Sequence, residues 1–375
     1  MDAELITNLE ALDGIEAEWR PLAELRGNAF ITPEWFRAWW GAYGEGHRPA
    51  VVVARDRGGA IAGVLPLVRS QGRPRLLRFA GANLGDLFHP AAREADEEAV
   101  AVAARTALDA AGESTIVLDY APASGTWPQA LASGGRCRFS EIEQRRADLP
   151  FVATEGTWED YLGTRSKKFR KRLRYLERSL SREHRVGVRE VRESGELEAA
   201  FARFFELHDK RFGERGGSSL ASPAARAMHK EFMAAVLEQG WLRLRFLEVD
   251  GRAVASLYGW RLGPRYAFYQ GGFDPDWSRH SVGTLLVAAT LRSAIEEGAE
   301  EFDMLLGREA YKARFTDRSR PVRSVALVRP GHPLRVVLAA EARLRRAGSG
   351  LAAKGGPPAR LARAIAARLP TGRRA

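Results

Sequence analysis

The spacing of apolar and polar residues divides the chain into two cycles of similar order. In the first, residues 15–26 carry apolar positions at helical intervals. Thr32-Pro33-Glu34 opens a second helix, with Thr32 as N-cap, Pro33 at the first helical position and Glu34 set against the dipole. Its apolar side is aromatic: Trp35, Phe36, Trp39, Trp40 and Tyr43. Apolar runs at 50–54 and 60–68 flank Asp56-Arg57-Gly58-Gly59, the pattern of a hairpin. A strand is predicted at 76–79, a helix at 93–111 stopped by Gly112, a strand at 115–120 and a Pro/Gly/Ser loop at 122–135.

The second cycle starts with a helix at Thr157-Trp158-Glu159-Asp160 and a basic helix at 165–181. A strand at 186–191, a helix at 195–212, a Gly/Ser loop at 213–222 and a helix at 224–239 follow. Strands at 241–249 and 253–262 flank Asp250-Gly251, a hairpin signal. A strand at 265–271, a helix at 281–298 and strands at 301–304 and 322–328 complete the series. The recurring order predicts an α/β (α+β) fold with an internal structural duplication. The expected domains are 1–150 and 151–329, each a mixed central sheet flanked by helices. The tail at 330–375 reads as a basic helical appendage, with helical pieces at 334–346 and 359–369 around a Gly/Ser/Pro linker at 348–358.

Composition narrows the class. The 375 residues are 45% hydrophobic and 28% charged, ordinary for a soluble globular protein with one or two cores. The single cysteine, Cys137, excludes a disulfide framework and a cysteine-rich zinc site. The acidic start lacks the apolar region of a signal peptide, and no apolar run is long enough to span a bilayer. These features predict a cytoplasmic protein. The net charge of +11 is unevenly placed: residues 165–192 carry +9, residues 329–375 carry +10, and the rest carries −8. Such basic elements attract phosphates, acidic lipid or nucleic acid, and also occur as solvated helix faces. The seven histidines form no H-x-x-x-H pair, so no metal is expected. No G-x-S-x-G, Walker loop or C-x-x-C supports a hydrolase, NTPase or redox reading.

Three segments concentrate candidate chemistry. The first joins Gln270-Gly271-Gly272, at the end of a strand, to Ser281-Val282-Gly283-Thr284, at the start of a helix. Exposed N–H groups at such a helix start hold anions, although Ser281 there is equally a plain cap. The second is Phe302-Asp303-Met304-Leu305-Leu306-Gly307-Arg308-Glu309-Ala310-Tyr311-Lys312-Ala313-Arg314-Phe315. Dense polar and aromatic residues after a strand's carboxyl end are a common place for a site, and also make solvated loops. The third is the helix around Ser166-Lys167-Lys168-Phe169-Arg170, whose cations suit a phosphate-bearing partner. His208, on an apolar helix face, reads by itself as a core histidine.

In this order the three segments resemble the FemAB-like branch of the GNAT N-acyltransferase superfamily, and within it the CelD-type domain found near exopolysaccharide or cellulose genes. The segment 302–315 is similar to that group's "fDfl-G-e-YK" signature. Leu207-His208 with Arg211-Phe212, Gly272-Phe273-Asp274-Pro275 and Ser281 to Leu286 add to the likeness, which covers residues 10–328 and is strongest over 157–316. It implies two tandem GNAT-like domains facing each other across a cleft, with direct acyl transfer from a donor to an amine or hydroxyl acceptor. The implied donor is acyl-CoA, an acyl-carrier protein or, as in Fem enzymes, aminoacyl-tRNA. The implied acceptor is a saccharide or cell-envelope precursor. Lys312 matches a lysine that polarises the acyl carbonyl, Tyr311 would return a proton to the leaving thiolate, and Glu309 and Asp303 would serve as base or acceptor-binding carboxylates. Gln270, Gly271, Ser281, Val282, Gly283 and Thr284 would bind the donor. Arg308, His208, Arg211, Lys168 and Arg170 would bind substrate. Two departures stand out: Ser278-Arg279-His280-Ser281-Val282-Gly283 lacks the leading Gln/Arg and first glycine of the usual pyrophosphate loop, and 165–230 leaves no room for the Fem helical arm. Competing expectations are an aminoacyl-tRNA-dependent ligase and a non-catalytic assembly module whose tail lies on anionic lipid at the inner face of the membrane. In the first unit, Gly85-Asp86 and His89 are weaker candidates for an acceptor wall.

Overall fold

The structure, a computed structural model, describes residues 1–72, 74–212, 218–307 and 309–353. The chain forms two compact units. One holds residues 1–147 and the chain from Pro321 onward; the other holds Asp148–Arg320. Among the described residues no helix is long and apolar enough to cross a membrane. Nor, among them, do three or more His, Cys, Asp or Glu side chains cluster as a metal would require.

In the first unit the strands Asp2–Ile6, His47–Arg55, Ile61–Ser70, Leu77–Phe79, Thr115–Pro122 and Ser319–Val328 are neighbours in that order. All pair antiparallel except Leu77–Phe79 with Thr115–Pro122, which are parallel and joined through the helix Glu97–Ala110. That helix lies close on the sheet: a Cβ on Gly63 would come within 2.7 Å of Val100. The aromatic helix Pro33–Tyr43 starts as its sequence dictates, with the Trp35 N–H donating to Thr32 Oγ1 at 3.1 Å. Trp35, Phe36 and Trp39 are buried.

The last strand departs from expectation. Its residues Val322–Val328 pair with Thr115–Pro122, and the Tyr120 N–H donates to Ser324 Oγ at 3.1 Å. It therefore completes the first sheet instead of closing the second half. Its apolar run fits the face of either sheet, so periodicity alone does not assign it. The expected loop at 122–135 contains the helix Trp127–Ser133, anchored by a fully buried Trp127. The long strand Ser140–Ala153 escapes the apolar pattern because most of its first ten residues are polar and partly exposed. The helix Leu334–Ala353 runs through Gly348-Ser349-Gly350, where a linker was expected. The helical piece expected at 359–369 lies outside the described residues, as does part of the Gly/Ser loop, 213–217.

In the second unit the neighbours are the end of Ser140–Ala153, then Glu301–Asp303, Arg265–Phe273, Arg252–Leu262, Leu242–Val249 and Val186–Glu190. The one parallel pair among these, Arg265–Phe273 with Glu301–Asp303, is joined through the helix Val282–Glu296. The basic helix Lys167–Glu183 is capped by Ser166 Oγ, which accepts from the Phe169 N–H at 3.2 Å. It buries Leu173, Leu176 and Leu180, each worth roughly 1.5–3 kcal/mol. Those contacts leave its cations on the other faces.

Candidate functional site

The parallel pair of the second unit is short. It matches Arg265 to Glu301, Tyr266 to Phe302 and Ala267 to Asp303. Beyond Ala267 the first strand runs on to Phe273, while the chain after Asp303 turns away. The sheet opens there, at the carboxyl ends of two parallel strands, a usual place for a ligand.

The turn after Asp303 is built around one cation. Lys312 Nζ donates to the carbonyls of Met304 at 2.9 Å, Leu305 at 3.3 Å and Leu306 at 2.8 Å. It also pairs with Glu309 Oε2 at 3.2 Å. Leu305 takes a left-handed φ of 54°, and its N–H donates to Asp303 Oδ1 at 2.7 Å. Gly307 sits at φ 141°, a backbone conformation that disfavours any side chain, and a Cβ there would push the Glu309 carboxylate and the Lys312 ammonium from their places. Asp303 is buried against Arg320, Nη1 to Oδ2 at 3.2 Å, and the same guanidinium binds Glu301 at 2.6 Å. Burial pushes the Asp303 carboxyl up to about 6 against the pull of Arg320.

Tyr311 stands beside this turn. Burial pushes its hydroxyl well above the usual phenol range; Glu309 adds to the shift, and Arg211, which donates to the hydroxyl, opposes it. Arg211 also donates to the Gly271 carbonyl at 2.7 Å and stacks over Phe212 and Phe273. Gly272 lets the helix Leu197–Phe212 touch the strand: a Cβ there would lie 2.3 Å from the His208 nitrogen. A cavity of about 110 Å³ lies here, lined by Arg211, Leu257, Phe268, Phe273, Gly283 and Tyr311 among others.

A larger groove of about 880 Å³ begins at Thr284, which lines both spaces. Arg165, Lys168, Lys171, Arg172 and Arg314 line it with Ser281. Ser281 is the N-cap of Val282–Glu296 at φ 55°, and its side chain caps nothing. The Thr284 N–H donates to the Ser281 carbonyl at 2.9 Å, and the N–H groups of Val282 and Gly283 lie at the positive end of the dipole, where helix geometry gives them no acceptor in their own helix. The groove thus combines helix-end donors with five cations, a donor set suited to phosphates.

The other expected residues are spread more widely. Lys168 lines the groove, whereas Arg170 turns away and donates to the Leu162 and Gly163 carbonyls at 3.3 and 3.2 Å. The Val282 side chain is buried in the core. Gln270 lies opposite Tyr258 in the sheet. His208 is buried among Phe204, Phe205 and Phe212, with Ser218 Oγ 3.0 Å from Nε2. Burial lowers its pKa to about 4. Arg308 lies outside the described residues. In the first unit Asp86 and His89 are buried, with His89 Nε2 3.0 Å from Asn28 Nδ2. Sequence reasoning placed Lys171, Arg172 and Arg314 inside its candidate segments without giving them a binding role. Helical spacing carries the signal for two of them: Lys168, Lys171 and Arg172 are three and four residues apart and share a face, and Arg170 does not.

Comparison with known proteins bears on the domain and the fold. Residues 167–313 match the family model described as an acetyltransferase (GNAT) domain. No curated protein matches the sequence. Among solved structures, FemX is similar with a TM-score of 0.63 at 11% identity, over 90% of this chain and 100% of that one. L-PGS from Bacillus licheniformis is similar with a TM-score of 0.53 at 14% identity, over 87% and 96%. A conserved protein of unknown function from Bacteroides thetaiotaomicron scores 0.54 at 13% identity, over 87% and 99%. At such identities the structural likeness speaks for the fold, and the family model speaks for the domain. Residues 167–313 thus match a GNAT acetyltransferase domain, and the fold is similar to that of FemX.

Proposed function

We propose that the second unit transfers an acyl group from an acyl thioester, on CoA or a carrier protein, to an amine or hydroxyl of a saccharide or cell-envelope precursor. The observation that carries this reading is the cationic groove at the start of Val282–Glu296, which shares Thr284 as a lining residue with the small cavity beside Tyr311. Lys168, Lys171 and Arg172 would hold the donor's phosphates, with the first-turn N–H groups near Gly283 beside them. When bound, the donor supplies the activated acyl carbon.

This chain's residues supply the rest. Tyr311, a phenol protonated at neutral pH, would give its proton to the departing sulfur; burial makes it a weaker acid, and the Arg211 donation to its hydroxyl works in the opposite direction. Arg211 fixes that hydroxyl relative to the Gly271 carbonyl. The Lys312 ammonium is engaged by three carbonyls and Glu309, so in this arrangement it acts by holding the turn that carries Tyr311. Glu309 is the more exposed of the two carboxylates and the better placed to accept the acceptor's proton; Asp303 is committed to Arg320. We place the reaction in the cytoplasm, where such donors occur.

A second reading rests on one feature. The groove's basic helix also exposes Tyr175, an aromatic surface among cations of the kind that binds RNA, which fits an aminoacyl-tRNA donor. Native mass spectrometry of the whole chain with acetyl-CoA, a longer acyl-CoA and charged tRNA, at two salt concentrations, separates the two. Saturable acyl-CoA binding that falls about tenfold in the Lys168→Gln/Lys171→Gln/Arg172→Gln variant is expected. Charged tRNA as the sole ligand, with steep salt dependence, would select the ligase instead.

A further inference from the structure

The helix Leu334–Ala353 presents two unlike faces. One docks on the first unit: Leu338 packs against Val117, Ala326 and Val328, Ala342 is fully buried, and Gln144 Nε2 donates to the Leu338 carbonyl at 3.3 Å. The other is apolar and in solvent. Val336 is 74% exposed, Val337 51% and Leu344 57%. At 3.6 residues per turn these three, with Ala340 and Arg343, span an arc of about 120° opposite Leu338 and Ala342. Such residues cost stability in water, and no packing in the unit requires them there.

Charge specifies what would cover the face. Arg343 is exposed within the apolar arc, and Arg335 is exposed on the first turn of the same helix. From residue 329 to the end the sequence carries +10, with Glu341 as its one acid, and Glu341 sits 3.9 Å from Arg345. A second copy of this chain would bring the same positive charge against it, at a Coulomb cost. A nucleic acid would use the arginines and leave the valines and leucine in water. An anionic bilayer satisfies both: phosphates for the cations and acyl-chain surface for the apolar residues. A helix of this amphipathic kind lies in the interfacial plane without crossing it.

We propose that the outer face of Leu334–Ala353 is a docking surface for anionic lipid, seating the first unit on a membrane. The proposal is independent of the acyl-transfer reading, because none of its residues touches the groove or the cavity of the second unit. The test is flotation of the full chain with phosphatidylcholine vesicles, with and without phosphatidylglycerol, beside two variants. Native protein floats with the phosphatidylglycerol vesicles and stays behind with phosphatidylcholine alone. Val336→Ser/Val337→Ser/Leu344→Ser lowers partitioning by about tenfold or more with an unchanged melting temperature, since these side chains contact solvent. Arg335→Gln/Arg343→Gln lowers it as well, and the loss grows with salt. Equal flotation of the native and serine chains would overturn the proposal by making the apolar face irrelevant. Absence of flotation would overturn it too. So would a concentration-dependent dimer that the serine variant abolishes, which would give the face to a second copy.

Discussion

Each unit contains a parallel strand pair bridged by a helix, and the two pairs have opposite surroundings. In the first unit, the chain after Leu77–Phe79 is packed with aromatic rings. Trp35 Nε1 donates to the Ala80 carbonyl at 3.2 Å, and a Cβ on Gly81 would lie 2.1 Å from that nitrogen. A Cβ on Gly85 would lie 2.3 Å from Phe88. In the second unit the matching region beside Gly271 and Gly272 keeps its cavity. The bridging helices differ in the same sense. Glu97–Ala110 has Glu97 and Glu98 in its first turn, and Arg26 pairs with Glu97 at 3.0 Å. Val282–Glu296 has no acid in its first turn, and its Ser281 side chain makes no cap. One unit fills its helix end with its own acidic side chains. The other leaves the position to a ligand. The same strand–helix–strand arrangement thus serves as core in one place and as a candidate site in the other, and the side chains at two positions decide which.

That contrast sets the order of effects. The largest belongs to Lys312→Ala, which removes the cation shared by three carbonyls and Glu309 and has no counterpart in the aromatic packing of the first unit. Transfer should fall about 100-fold or more, the size seen when a positioned polar group at a reacting centre is lost. Donor affinity should hold, because the groove residues are intact. Single-turnover rates and donor titration together check this split; equal losses in both would show that Lys312 contacts the donor. A smaller effect is expected of Thr284→Glu, which gives the second unit the acidic first turn of the first. A carboxylate there meets the helix dipole and repels phosphate, so the acyl-CoA Kd should rise about tenfold while the melting temperature holds or rises. Unchanged affinity would move the donor away from this helix.

Much of this was legible in the sequence, and the misses share a cause. Thr32-Pro33 and Asp250-Gly251 mark their turns through local chemistry, and each forms as read: Thr32 caps, while Asp250 and Gly251 both take positive φ. The segment 302–315 was singled out because charge density after a strand end is local information too. What the sequence does not encode locally is which sheet a strand joins, or which way a cation points. Val322–Val328 pairs with the first unit for reasons of long-range fit. Lys312 matches a lysine expected to polarise the acyl carbonyl, and it is 5% exposed and bound to backbone carbonyls that no side-chain pattern announces. Arg170 belongs to the right motif and the wrong helix face.

The smallest effect concerns pH, and it isolates the acidic side chain that the first unit carries. Burial pushes the Glu97 carboxyl up to about 7, against the pull of Arg26 and with the repulsion of Glu94; His89 Nδ1 lies 3.4 Å away. The folded unit therefore keeps a proton that the unfolded chain gives up near the ordinary glutamate value of about 4.5. With more protons bound in the folded state, stability falls as pH rises from about 4.5 to about 7 and is level above that. Hydrogen exchange of Glu97–Ala110, corrected for the intrinsic rate at each pH, reads this locally. Protection should fall by about tenfold across the window, a value discounted because the group is partly solvated. In Glu97→Gln the same amides should show a level profile. The amides of Val282–Glu296 should give the same profile in both proteins, since the substitution is in the other unit. A slope that persists in Glu97→Gln would show that Glu97 does not carry the titration.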